Sequence, residues 1–160
     1  SYTEYLESAG VKVSKKVLDA QRLSGDDEVS AALGLGDDEE FVVIRRVRIA
    51  GKRPAIYSID SLPADIVDAK RDLKAFGGSL YKLLGSRGHD IDHARTIITP
   101  VLATSEIAKI LDVPAGTPLQ HLKQIDYNTA GRPVMRSLEW HVPSVIELRV
   151  YRRGPGPMPA

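Results

Sequence analysis

An α+β domain, in which an antiparallel sheet is flanked by short helices, is the fold class that this 160-residue sequence predicts. Three observations carry the prediction. Two turn signals, Gly51-Lys52-Arg53-Pro54 and Gly131-Arg132-Pro133, each lie between strand-like runs, as a β-hairpin requires. The helical patterns are short and alternate with long strand patterns. The stretches Leu33 to Pro63 and Leu111 to Pro143 follow one plan of helix end, turn, strand, tight turn, strand and proline, with Pro54 and Pro133 separated by 79 residues, half the chain. That offset is too long for a solenoid and implies two related halves building one sheet. Strands joined by hairpins also exclude a doubly wound parallel sheet, whose every link is a crossover.

Ser1 to Ala9 reads as a helix with a stripe of Tyr2, Tyr5, Leu6 and Ala9, closed by Gly10. Val11 to Arg22 reads as a half-buried strand. Asp26 to Leu33 carries acids in its first turn and Gly34 after its last apolar residue, the marks of a short helix. Glu40 to Ala50 and Ala55 to Leu62 form the first hairpin. Beyond Pro63, Ala64 to Leu73 is expected to be helical, and Ser79 to Leu84 to be a short helix after the flexible Gly77-Gly78 pair. Ile91 to Leu102 is a strand, Ser105 to Leu111 an apolar-striped helix, and Leu119 to Tyr127 with Val134 to Val142 the second hairpin. Val145 to Arg152 is expected to be a last strand, and residues 153–160 a flexible Pro/Gly tail.

Lys plus Arg number 22 and Asp plus Glu 21, so the net charge of +1 provides no field to hold nucleic acid or acidic lipid. With 42% hydrophobic and 27% charged residues the chain can build a core. It has no cysteine, which removes disulfides, thiolate metal sites and thiol catalysis and suits a cytoplasmic protein. Apolar runs such as Phe41 to Ile44 fall far short of the ~20 residues of a membrane helix. The chain begins at Ser1 without Met and enters a helical pattern at once, which reads as a piece of a longer polypeptide.

The densest motif is Ile44-Arg45-Arg46-Val47-Arg48-Ile49, where strand alternation puts Arg46 and Arg48 on one face. Two readings stand. The pair holds a small anion through its guanidinium forks, or it belongs to a solvated face with cross-strand acidic partners. Ser79-Leu80-Tyr81 brings two hydroxyls to a helix start, which serves either phosphate binding or ordinary capping. Trp140, the one tryptophan, lies on a strand with Met135 and Glu139 and is either a pocket wall or core. His89 and His93 flank Asp90 and Asp92 but lack a third metal ligand, and no nucleophile elbow, Walker loop or dinucleotide turn is present. No metal or cofactor is expected, and nothing marks an enzyme.

The joint order of Leu33-Gly34-Leu35, Val42 to Arg48, Gly51 to Pro54, Leu62-Pro63, Ser79-Leu80-Tyr81, Ala103 to Leu111 and Gly131 to Val134 resembles the UTRA domain. That is the effector-binding domain of the HutC subfamily of GntR-type transcription regulators. The resemblance covers residues 1–152 and implies a chorismate-lyase-like fold that senses a metabolite. It further implies an effector site at Arg46, Arg48, Ser58, Ser79, Tyr81, Met135 and Trp140, with Arg87 as a further anion ligand. The places matching the acidic residues of the family's sugar-phosphate sensors are Ser58 and Met135, neither acidic, which turns the expectation toward an anionic, partly apolar effector. A sugar phosphate, carboxylate or phosphonate is the class implied, in a homodimer whose DNA contacts belong to an N-terminal winged helix-turn-helix outside this chain. An enzyme on the same fold and a purely structural dimerisation domain are the alternatives.

Overall fold

The computed structural model describes residues 7–157. Its sheet has six strands, β1 (Val13–Leu23), β2 (Phe41–Ala50), β3 (Arg53–Pro63), β4 (Ile91–Leu102), β5 (Pro118–Asn128) and β6 (Pro133–His141), in the order β1-β2-β3-β6-β5-β4. Every pairing is antiparallel. The helices are α1 (Asp27–Leu33), α2 (Leu80–Ser86) and α3 (Ser105–Leu111). The repeat read from the sequence is therefore a structural one: β1-α1-β2-β3 and β4-α3-β5-β6 are the same unit, joined where β3 pairs with β6 at the centre of the sheet.

Local chemistry places the ends of these elements. Asp26 accepts from the Val29 amide at the start of α1, and Gly34 closes it at φ 64°, a left-handed turn that a side chain would resist. Gly51, also at φ 64°, turns the first hairpin. Thr104 caps α3 and Ser79 caps α2 through the Lys82 amide.

Alternation divides the sheet into two faces. Phe41, Val47 and Tyr57 face α1 and α3, where Val29, Leu33, Ala108 and Leu111 bury against them. The opposite face carries Val42, Ile44 and Leu62 under Ile66, Val67, Phe76, Leu80 and Leu84. Along β2 this second face reads Val42, Ile44, Arg46, Arg48. It changes from apolar to cationic in mid-strand, so the 64–86 segment covers its apolar half and a cavity opens over the rest.

Four expectations need correction or fall partly outside the described residues. Ala64 to Leu73 is not a helix: Asp68 accepts from the Lys70 and Arg71 amides and Asp72 from the Asp68 amide, so side chains hold the backbone in turns, followed by a single 3-10 turn at Ala75–Gly77. Val145 to Arg152 is not a strand. Its alternation marks which side chains bury, and Ile146 does pack on Ala55 and Ile56, but β3 and β6 already have neighbours on both sides and offer no ladder there. Of the opening helix, residues 1–6 lie outside the described residues, while Glu7 and Ser8 are helical and Gly10 turns at φ 78°. In the tail, residues 158–160 likewise lie outside them, and residues 150–157 are exposed.

Candidate functional site

The cavity over the polar half of the sheet has a volume of about 420 Å3. Its floor is Arg46 and Arg48 of β2, Asp60 of β3, Gln124 of β5, and Met135, Ser137 and Glu139 of β6. Lys15 of β1, the Gly78 to Tyr81 entry to α2, and residues 147–149 form the walls.

Arg46 is 3% exposed and is the structural centre of the site. Its Nε and Nη2 donate to Asp60 Oδ2 at 3.1 and 2.9 Å, and its Nη1 donates to the carbonyls of Phe76 and Gly78 at 3.2 and 3.3 Å. One guanidinium thus ties the covering turn to the sheet. Asp60 is completed by Ser58 Oγ at 3.0 Å and Ser137 Oγ at 2.7 Å. Arg48 lies 3.8 Å from Glu139 Oε1, and the other oxygen of Glu139 is 2.6 Å from His141 Nε2. Lys15 donates to the Gly78 carbonyl at 3.4 Å, and burial together with Arg48 and Arg46 lowers its ammonium below the ordinary lysine range. Three cations thus converge at one end of the cavity.

The other end is lined with hydrogen-bonding groups. Tyr81 donates its hydroxyl to Asp126 Oδ1, and the Gln124 amide donates to Tyr81 Oη at 3.2 Å and to Asp126 Oδ1 at 2.9 Å. Burial raises the Asp126 carboxyl above its usual value, and burial beside Asp126 pushes the Tyr81 hydroxyl up.

Of the residues expected from sequence, Arg46, Arg48, Ser79, Tyr81 and Met135 line this one cavity. Ser58 lies beneath the floor, 2% exposed, and orients Asp60 rather than facing the cavity. Trp140 is on the opposite face, stacked on Tyr57 and His121 at 5.3 and 4.6 Å between ring centroids. The parity of strand positions separates it from Met135 and Glu139. Arg87 is engaged elsewhere, gripping Asp72 at 2.6 and 2.7 Å and the Ile66 carbonyl. His89 contacts Asn128 and His93 stacks on Tyr127, and among the described residues no group of acids and histidines has the arrangement of a metal site.

Sequence reasoning missed Lys15, Asp60, Gln124 and Ser137, and named Glu139 only as a strand neighbour of Trp140 and Met135 in a candidate pocket wall. The signal for Asp60 and Glu139 was the same alternation that pairs Arg46 with Arg48: they stand two residues from Ser58 and four from Met135, on the same faces. Lys15 is opposite Arg48 in the β1 register, which no local pattern reveals. The scarcity of acids expected at Ser58 and Met135 is made good by these neighbours.

The Arg87 grip makes a separate prediction. Arg87, with the Asp68 amide and the Arg71 side chain, holds the Asp72 carboxyl well below the usual carboxylate range, so the pair stabilises the fold above a pH of about 4 and is lost on acidification below it. Arg87→Ala is expected to cost about 1–3 kcal/mol at neutral pH, because Asp72 is buried and loses its partner. The difference between variant and wild type should shrink as urea titrations move from pH 7 to pH 3. A difference independent of pH would show that the grip contributes through packing alone.

The UTRA domain family model matches residues 8–147. The helix-turn-helix-type transcriptional repressor NagR of Bacillus subtilis is 27% identical over 132 residues, covering 82% of this chain and 54% of that protein. Among solved structures, the effector domain of PhnF from Mycobacterium smegmatis superposes with a TM-score of 0.88 at 19% identity, covering 96% of this chain and 95% of that one. A GntR-family regulator from Enterococcus faecalis superposes with a TM-score of 0.78 at 23% identity, covering 87% of this chain and all of that one. The chain spans about half the length of the curated relatives it matches. No helix among the described residues is long and apolar enough to cross a membrane.

Proposed function

The chain belongs to the UTRA domain family, and from that premise we propose that it senses a small anionic metabolite and reports its presence to a DNA-binding domain elsewhere in the same polypeptide. The observation that carries this reading is the convergence of Lys15, Arg46 and Arg48 on a single cavity large enough for a metabolite. Mutual repulsion among them is relieved by a bound anion such as a phosphate, phosphonate or carboxylate. Glu139, Ser137 and Gln124 favour a body that bears hydroxyl or other polar groups.

Asp60 and Glu139 are ion-paired with Arg46 and Arg48, an arrangement that favours holding a ligand over acid–base turnover. The NagR relative is a repressor with a helix-turn-helix, which supports placing operator contact in a winged helix-turn-helix N-terminal to this domain, in a cytoplasmic homodimer of the HutC subfamily. The near-neutral charge of the chain agrees with phosphate contacts belonging to another domain. Ligand preference for one arrangement of the dimer then shifts operator affinity, tenfold for each ~1.4 kcal/mol of coupling.

A thermal-shift panel of sugar phosphates, phosphonates, carboxylates and fatty acids tests the reading. A ligand at 100 times its dissociation constant stabilises by about 2.7 kcal/mol, a rise of several degrees. Arg48→Ala should abolish the shift, and Trp140→Ala, altered on the opposite face, should keep it. Lys15 binds an anion only while protonated, and burial together with Arg48 and Arg46 lowers its pKa, so affinity should fall as pH rises, before the ordinary lysine value of about 10.4 is reached. No shift from any anion, or one indifferent to Arg48→Ala, would refute the proposal.

A further inference from the structure

The cavity wall formed by residues 147–149 belongs to a strap that is anchored at one end only. Val145 and Ile146 donate their amides to the Val142 carbonyl, and Ile146, 2% exposed, packs on Ala55 and Ile56. Ile146 is the last buried residue among those described; Glu147 and Arg149 are exposed and Leu148 is half-buried, although all three line the cavity. Val150 and Tyr151 follow with 72% and 87% of their surface in solvent.

Arg149 is held within the strap itself, its Nε and Nη2 donating to Glu147 Oε2 at 3.1 and 2.8 Å. The two side chains are 70% and 67% exposed, and an ion pair so open to water contributes little. The interior offers less positive charge than its arginines suggest. Arg46 spends donors on Asp60 and on the carbonyls of Phe76 and Gly78. Lys15, Arg46 and Arg48 stand against Asp60 and Glu139, so the interior of the cavity carries a surplus of a single positive charge. That surplus matches a singly charged anion and falls short of a phosphoryl group, which carries nearly two charges at neutral pH.

We propose that Arg149 is a further ligand of the anion, leaving Glu147 for the bound effector and drawing the strap across the cavity mouth, so that closure selects a doubly charged group. The exchange breaks a pair that water already weakens and forms one in a drier site, where charges interact more strongly. A guanidinium fork matches the oxygens of a phosphoryl group two at a time. Inward movement of Arg149 also carries Leu148, Val150 and Tyr151 toward the mouth, where their apolar surface excludes water from the anion. This role rests on the sensing function, since it adds a ligand to the same cavity.

Inorganic phosphate at constant ionic strength is the probe, and trypsin reads the strap directly. Arg149 lines the cavity and Arg153 lies beyond its wall, so the two cleavage sites report side by side on one chain. Saturating phosphate should slow cleavage after Arg149 by about tenfold or more and leave cleavage after Arg153 unchanged. In thermal shift, Arg149→Ala should lower phosphate affinity by about tenfold, and Glu147→Gln, which releases Arg149, should raise it. The gain from Glu147→Gln should vanish when Arg149→Ala is also present, because no arginine is left to release. Both side chains are exposed, and the melting temperature without phosphate verifies that each variant is folded. Equal protection of Arg149 and Arg153, unchanged phosphate affinity in Arg149→Ala, or a gain from Glu147→Gln that persists in the double variant would overturn the exchange. A wild type that answers to carboxylates and not to phosphate, or a phosphate response lost in Arg48→Ala and kept in Arg149→Ala, would overturn the strap's role and leave the sensing function standing. Silence of the wild type toward every anion would overturn both.

Discussion

Arg46→Ala is expected to lower the stability of the domain by about 3–5 kcal/mol, a large share of the ~5–15 kcal/mol typical of a domain. Arg46 and Asp60 are 3% and 1% exposed, and removal of the guanidinium leaves a buried carboxylate with only the Ser58 and Ser137 hydroxyls as donors. It also frees the carbonyls of Phe76 and Gly78, which anchor the turn over the apolar half of the sheet. Urea denaturation should therefore show a much lower midpoint than for Arg48→Ala, whose ion pair at 3.8 Å is looser. Pairing Arg46→Met with Asp60→Asn removes the charge from both sides and should recover part of the loss. A coupling energy near zero in that cycle would show that the pair adds nothing beyond its parts. Loss of anion response in Arg46→Ala thus reports on folding as much as on contact, and Arg48→Ala is the cleaner probe of binding.

Phe76→Ala should cost a similar ~3–5 kcal/mol, for a different reason. Phe76 is fully buried among Leu62, Leu80, Leu84 and their neighbours, so truncation opens a void in a packed core. Its own carbonyl accepts from Arg46, so the void lies directly behind the cavity wall. Anion affinity should fall together with stability. Trp140→Ala, on the far face and only half-buried, should lose less stability and leave anion affinity intact. Equal affinity losses from both substitutions would mean that the cavity senses the whole core and not its own wall.

Much of this fold was legible without coordinates because its information is local. Turn residues at Gly51 and Gly131, caps at Asp26 and Ser79, and the duplicated plan around Pro54 and Pro133 specify hairpins, short helices and two like halves through backbone chemistry within a few residues. Alternation likewise put Arg46 and Arg48 on one face, and the cavity is lined by both. The elements that misled were those whose state depends on a distant neighbour. Val145 to Arg152 alternates like a strand but has no ladder to join, and Ala64 to Leu73 is held in turns partly because Asp72 is claimed by Arg87.

The sequence by itself determined the two hairpins, the capped short helices, their order along the chain, and the position of the cationic run on β2. Tertiary structure decided which of those groups share a cavity. Lys15 reaches Arg48 only through the β1–β2 register, and Glu139 meets it only because β6 and β2 flank the same central strand. Arg87 and Trp140 were plausible by type and lie elsewhere, the one holding Asp72 and the other stacked on the opposite face. The reason is physical: a residue's local backbone preference depends on its neighbours in the chain, whereas a binding site depends on distances between strands that only the folded sheet establishes.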